Sequence, residues 1–352
     1  MADEYGEWPL KRLNTEVVAS GPKSAGDMDR EQAREAFQRI LDLKPDQTTL
    51  GAFWLANRWK KNNPEELGAY VDVMYEESRH TAAPDADPVD CGANYDGKAR
   101  SAVLGVAAGI VAAAAGTPIV VHSGDHVPSQ KEVAYKHVLD ALGVRTELTP
   151  EASARMVDEH GFGFYYQPAF NPTVDALWDR RDKMGVRTFV NTVETLANPA
   201  DAAVHLGSFY HLAFAEKMVE TVRESEHAGF ERVLMFQGLE GYDDVRPGST
   251  TVAEWDAGSD LADFTIETPE YGMDFETEDL HVEDVAADSA TITKDVLSGE
   301  RTDQFHDAVL VNAALRLYAR TDVDTLDEGI EAAERVISDG TAEALLADLR
   351  AF

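Results

Sequence analysis

Three carboxylates stand close together after an apolar run: Glu240, Asp243 and Asp244 follow residues 231–237, with Gly238 and Gly241 among them. Glycines there permit tight turns. A Mg²⁺ ion usually takes one or two carboxylates together with substrate phosphates, so the chemistry on offer is charge neutralisation on a phosphorylated ligand. In a chain with 65 acidic residues, composition alone also supplies adjacent aspartates in a solvated loop. A second group is the loop 94–101, with Asn94, Asp96, Gly97, Lys98, Arg100 and Ser101 ahead of an alanine-rich stretch. It sets two cations beside a predicted helix start, where Lys meets phosphate as a point charge and Arg as a fork; ordinary charge balancing is the alternative. His122 closes a short predicted strand and leads into Ser123, Gly124, Asp125 and His126, small and polar residues ahead of a helix that could cradle an anion. His122 is also the candidate acid–base group. Arg180, Arg181, Lys183 and Arg187 form the densest basic cluster. Some of these can pair with Asp175, Asp179 and Asp182, and one can face a substrate carboxylate. The remaining histidines show no metal-ligand spacing, and the single cysteine, Cys91, excludes an intrachain disulfide and a cysteine zinc site.

Two kinds of segment must position these groups. Residues 27–82 read as helices: Ala33, Phe37, Ile40 and Leu41 recur at helical spacing behind Asp27 or Asp29 as N-cap, a second helix covers about 47–60, and a third begins at Pro64. A linker follows at 81–88. The pattern then alternates. Helices are predicted over 99–115, 130–142, 171–184 and 208–226, a further one starts at Thr149-Pro150, and strands are predicted over 117–122, 162–167 and 231–237. Such alternation argues for a parallel α/β sheet, with ligands beyond the carboxyl ends of its strands. Residues 247–293 carry no Lys or Arg and read as acidic and irregular, with short strands at 250–255 and 263–268; helices return over 303–318, 324–337 and 342–349. The expected architecture is α/β: an N-terminal extension over 1–26, a small all-helical domain over 27–88, and a large α/β domain over 89–352 with a mixed or parallel sheet and surrounding helices.

The balance of charge bounds the partners. The chain has 352 residues, enough for roughly two domains, and 31 basic residues against its acids leave a net charge of −34. Such a surface repels polyanions and anionic membranes and is best tolerated in a high-salt cytosol. The start of the chain carries no basic and apolar leader pattern. The longest apolar stretch, 102–121, is mostly Ala, Gly and Val and is broken at Gly116-Thr117-Pro118, so a buried helix and strand fit it better than a membrane span. A cytoplasmic protein is expected.

The order of motifs resembles the anthranilate phosphoribosyltransferase family, within a glycosyltransferase group that includes pyrimidine nucleoside phosphorylases. The likeness spans about 27–340. It is carried by residues 31–41, 52–56 and 64–67 near the start, by Val138-Leu-Asp-Ala-Leu-Gly143, Met184-Gly-Val-Arg-Thr-Phe-Val-Asn191 and Leu196-Ala-Asn-Pro199 in the centre, and by 308–315 and 327–333 late in the chain. The resemblance implies that Asp243 and Asp244 stand where the family's Asp-Glu pair binds Mg²⁺ on the diphosphate of phosphoribosyl pyrophosphate, with Glu240 as a third carboxylate. It implies that Arg181 stands where an arginine faces the anthranilate carboxylate. The family's Gly-Thr-Gly-Gly-Asp loop is here Cys91-Gly-Ala-Asn-Tyr-Asp-Gly97. Its Lys-His-Gly-Asn-Arg motif is Val121-His-Ser-Gly-Asp-His126, keeping only His122, and a family histidine is replaced by Asn171.

The implied activity is Mg²⁺-dependent transfer of a phosphoribosyl group to a small acidic nitrogen acceptor such as anthranilate. Lys98, Arg100 and Ser101 would contact phosphate, Asn94, Asp96 and Gly97 are expected to be further substrate-binding residues, and Arg181 would orient the acceptor. The Asn-Tyr-Asp-Gly-Lys loop also resembles an inactive side branch that binds nucleic acid, which the charge of −34 disfavours. A homodimer formed through the helical unit is expected. The acidic surface further predicts that the unfolding midpoint rises as salt is added from zero; full activity and unchanged stability in salt-free buffer would contradict the high-salt expectation.

Overall fold

The computed structural model describes residues 7–92, 95–128 and 130–352. Seven strands form one sheet: β1 (Val89–Cys91), β2 (Ile119–Ser123), β3 (Phe162–Tyr166), β4 (Val204–Phe209), β5 (Arg232–Gln237), β6 (Ser249–Asp256) and β7 (Ala262–Glu267). Their order is β3-β2-β1-β4-β5-β6-β7. β1 to β5 are mutually parallel, and β6 and β7 add antiparallel at one edge. The sheet is therefore mixed. Successive side chains alternate between its faces, and each face has its own core. Ile119, Val121, Leu206, Leu234 and Phe236 pack with the helices Gly105–Ala114, Val285–Leu297 and Gln304–Ala319. Val120, Tyr165, Val233 and Met235 pack on the other side with the N-terminal helices and Leu212–Glu224.

The N-terminal helices form where their caps predict. Asp29 caps Arg30–Leu41, Asp46 caps Gln47–Lys60, and Asn63 with Glu66 closes a reciprocal box at the start of Pro64–Glu77. They bind the rest of the chain through a buried aromatic group. Tyr70 stacks on Phe189 at 4.1 Å between ring centres, and Phe37 meets both rings edge-on at 5.4 Å. Phe189 lies in the segment that also carries Arg187, Thr188 and Asn191, so this contact fixes that segment over the sheet.

Several sequence expectations are corrected. β1 and β4 fall where no strand was predicted, and the predicted helix 208–226 begins only at Leu212, after β4. The predicted helix 99–115 begins at Gly105, because the preceding backbone is drawn off by other partners: Ala102 N–H donates to Leu280 O and Leu104 N–H to Asp244 Oδ2, both at 3.0 Å. The predicted helix 130–142 begins at Tyr135, and 171–184 divides into Pro172–Asp175 and Trp178–Met184. Within the acidic stretch a full helix forms, Val285–Leu297, capped by the Asp284 side chain.

Both unpredicted strands carry a buried polar residue, and the two residues satisfy each other. Asp90 of β1 is fully buried; its Oδ2 lies 2.9 Å from His205 Nδ1 of β4 and its Oδ1 lies 3.2 Å from His122 Nε2 of β2. Burial works to raise the Asp90 pKa, but the two imidazoles outweigh it and hold the group at about 2, against an ordinary 3.8. The folded value lies below the unfolded one, so this stabilisation is present above about pH 4 and is lost as pH falls through about 2, a loss on the order of 2 kcal/mol. Asp90→Asn should be less stable than the native chain, with a gap that narrows from about pH 5 to about pH 2 in denaturant titrations. A gap constant over that window would contradict the pairing.

Candidate functional site

The order of the strands reverses between β1 and β4: successive strands lead outward from β1 through β2 to β3 on one side, and from β4 to β5 on the other. Crevices at such switch points, beyond the carboxyl ends of parallel strands, are where open α/β sheets bind ligands. A cleft of about 210 Å³ occupies this place. Gly92 after β1 and Ser208 near the end of β4 line it, with Thr188, Asn191 and Thr192 above, and Arg58 and Arg187 at its mouth. The Thr188 Oγ1 and Asn191 Nδ2 atoms are buried without a protein partner. Arg58 Nη1 donates to Arg187 O at 3.0 Å, tying the second N-terminal helix to the segment beyond Gly185. The cleft also holds one carboxylate, Asp96, which pairs with Arg187; with that charge offset, the Arg58 guanidinium and a row of hydroxyl and amide groups make the cleft suited to an anion. Gly92 is required at the wall: a Cβ there would lie 2.0 Å from Thr195 O and 2.6 Å from the His205 ring.

The residues singled out from the sequence are brought together in two groups. In the first, the loop after β1 is clamped to the loop after β5. Lys98 is fully buried; its ammonium pairs with Asp244 Oδ2 and also donates to Ala102 O at 2.8 Å. Asp243, equally buried, accepts from the Tyr135 hydroxyl and lies 3.3 Å from Arg316 Nη2. Burial pushes its pKa up to about 6 against the pull of Arg316 and Tyr135. Glu240, in a left-handed conformation with φ 56°, turns back to accept from Ser101 N–H at 2.8 Å and Ala99 N–H at 3.2 Å. Burial opposes ionisation of Glu240, but these donors and Lys98 prevail and hold it below its ordinary range. Gly97 takes φ 79° at the tip of the clamped loop, where a Cβ would lie 2.5 Å from Val133 O. Arg100 is exposed.

The three carboxylates thus do not converge as the sequence suggested. Among the described residues no group of three His, Cys, Asp or Glu side chains could hold a metal. Asp243 Oδ1 and Asp244 Oδ1 nevertheless remain buried without a hydrogen-bond partner. Two such oxygens suit an ion that takes its other ligands from phosphate and water. Glu240 is drawn away by backbone donors.

The second group lies behind the cleft. His122 is fully buried, with Nδ1 bonded to the Tyr95 hydroxyl and Nε2 beside Asp90. It does not line the cleft: Nδ1 is bonded inside the protein, and Nε2, beside Asp90, is buried without a hydrogen-bond partner. Arg181 is 3% exposed and forms a two-pronged pair with Glu194. Asp96, by contrast, is buried but lines the cleft itself, where it pairs with Arg187. Asn94 lies outside the described residues. Sequence reasoning did not find Arg58, Thr188, Asn191, Ser208, Asp90, His205 or Glu194. The signal available is positional, Asp90 within β1 and Ser208 near the end of β4 beside the switch point, and it depends on reading those two strands from the sequence.

Comparison with known proteins places this geometry. The family model described as "Glycosyl transferase family, a/b domain" matches residues 96–343. Anthranilate phosphoribosyltransferase of Methylobacterium radiotolerans is 32% identical over 326 residues, 92% of this chain and 91% of that one. The crystal structure of anthranilate phosphoribosyltransferase from Thermus thermophilus superposes with a TM-score of 0.79 at 26% identity, covering 92% of this chain and 95% of the other. The Saccharomyces cerevisiae enzyme, solved in complex with PRPP and Mg, shares the fold with a TM-score of 0.80 at 21% identity over 97% and 98% of the two chains. The motif order, the switch-point cleft and these matches agree: the chain belongs to the anthranilate phosphoribosyltransferase family.

Proposed function

We propose that the protein is a pentosyltransferase that moves a phosphoribosyl group from phosphoribosyl pyrophosphate to a small acidic nitrogen acceptor such as anthranilate. The observation that carries this reading is the donor-lined cleft at the β1–β4 switch point, an anion site in a chain of charge −34. The relatives named above support it.

The residues act by positioning and by electrostatics. Arg58, Arg187, Thr188, Asn191 and Ser208 would hold phosphate and ribose oxygens. Departure of diphosphate from the sugar leaves positive charge on the ring and negative charge on the leaving group, so fixed donors around the leaving oxygens lower the barrier. Mg²⁺ would be held through Asp243 Oδ1 and Asp244 Oδ1, and when bound it neutralises the diphosphate. Lys98 and Arg316 hold the other oxygens of these carboxylates and fix their orientation. Lys98 therefore serves phosphate indirectly, as the partner of Asp244. Arg181 would orient the acceptor. His122 would act through Tyr95 and Asp90, keeping the carboxyl ends of the strands in place.

The same reading includes a homodimer in the cytoplasm. No helix among the described residues is long and apolar enough to cross a membrane. On the N-terminal helices Trp59 is 83% exposed and Leu55 45%, beside a groove lined by Val18, Pro22 and Ala56, and this face supports pairing with a second copy. Light scattering in high salt should give twice the chain mass, and Trp59→Glu should give one; a monomeric native chain would overturn this part.

Calorimetry in high salt with Mg²⁺ tests the activity. Phosphoribosyl pyrophosphate should bind in a Mg²⁺-dependent manner. The double variant Asp243→Asn/Asp244→Asn should weaken it by on the order of tenfold or more. Binding of single-stranded DNA without binding of the sugar phosphate would replace the transferase reading with a nucleic-acid one.

A further inference from the structure

Arg181 is the one cation of the basic cluster that is wholly internal, and its fork is already filled. Nη1 donates to Glu194 Oε2 at 2.9 Å and Nη2 to Glu194 Oε1 at 2.7 Å. Gln167 Nε2 adds a third hydrogen bond, to Glu194 Oε2 at 2.9 Å. Glu194 is 1% exposed and Arg181 3%. The pair lies immediately behind the cleft wall: Glu194 opens the short turn Glu194–Leu196, whose next residue, Thr195, lines the cleft and presses its carbonyl toward Gly92. Arg181 Nε is buried and has no hydrogen-bond partner, so the guanidinium keeps an unused edge while both ends of its fork are committed.

This is the geometry in which an arginine recognises a free carboxylate ligand, two parallel N–H bonds to two oxygens. The protein supplies that carboxylate itself. An arriving acid meets a neutral pair instead of a cation, and binding it at Arg181 means separating a buried charge from its partner.

We propose that Glu194 is a specificity-determining residue that occupies Arg181 in place of an acceptor carboxylate, so that an acidic acceptor binds there only by displacing it. The proposal rests on the reading of Arg181 as the acceptor-orienting group and adds what limits that role. Glu194 thereby narrows the preference between a carboxylate acceptor and its neutral counterpart, because the favourable contact to Arg181 is offset by loss of the internal one.

The test titrates anthranilate and its neutral amide, 2-aminobenzamide, into the native chain, Glu194→Ala and Glu194→Gln by calorimetry in high salt, with and without phosphoribosyl pyrophosphate and Mg²⁺. Anthranilate should bind on the order of tenfold more tightly to Glu194→Ala, since hydrogen bonds to a charged partner become available without competition. Glu194→Gln should show a smaller gain, and 2-aminobenzamide should be unaffected by either. A merely structural Glu194 would give no charge-selective gain. Unchanged or weakened anthranilate binding in the variants would overturn the proposal, and should Glu194→Ala fail to fold, the isosteric Glu194→Gln decides it alone. Phosphoribosyl pyrophosphate is titrated separately into the native chain: its failure to bind counts against the transferase reading, whereas Glu194 stands or falls on the two acceptor titrations.

Discussion

One buried carboxylate holds the centre of this molecule. Asp90 sits on a three-residue strand between β2 and β4, and each of its oxygens faces an imidazole from one of those neighbours. An ionised group removed from water costs several kcal/mol unless it is paired, so β1 can occupy the centre of the sheet only with His122 and His205 in place. The pairing ties β1, β2 and β4 together beside the cleft. Gly92, one residue beyond β1, then brings Thr195 and His205 against the chain with no space for a side chain.

The same rule governs the rest of the interior. Lys60 pairs with Glu66, Arg30 with Asp72, Lys98 with Asp244, Arg316 with Asp243 and Arg181 with Glu194, each with at least one partner almost fully buried. A chain with only 31 basic residues thus commits many of them to internal carboxylates. This commitment explains why cations that look available in the sequence are not: Lys98 and Arg181 have residue types suited to substrate oxygens, but both are engaged by carboxylates far away in the chain. Of the two cations that line the cleft, Arg187, on the segment that Phe189 anchors, is also paired, with Asp96, and Arg58 is held by the helix Gln47–Lys60.

The clamp between the loops after β1 and β5 gives the aspartates their orientation. Glu240 captures the N–H groups of Ala99 and Ser101, Asp244 that of Leu104, and Leu280 O and the Ser289 hydroxyl those of Ala102 and Val103, so the alanine-rich helix starts only at Gly105. Local propensity favours helix from Ala99 onward; these tertiary acceptors, two of them carboxylates from the loop after β5, override it. The loops after β1 and β5 are therefore held by one set of bonds, and a change in either loop is felt in the other.

By itself the sequence determined the family, the α/β class and most of the helices. Capped starts such as Asn63-Pro64-Glu66 and Thr149-Pro150 are written in adjacent residues, and their hydrogen bonds close within a turn. The apolar strands β2, β3 and β5 were legible for the same local reason. The tertiary structure alone decided β1 and β4, because Asp90 and His205 read as polar interruptions until each is seen to neutralise the other. It alone decided which charges face the cleft, since a side chain's availability depends on partners that can lie 13 residues away, as for Arg181 and Glu194, or 146 residues away, as for Lys98 and Asp244. Residue type and spacing specify what chemistry a group could perform; burial and pairing across the fold determine which groups are free to perform it.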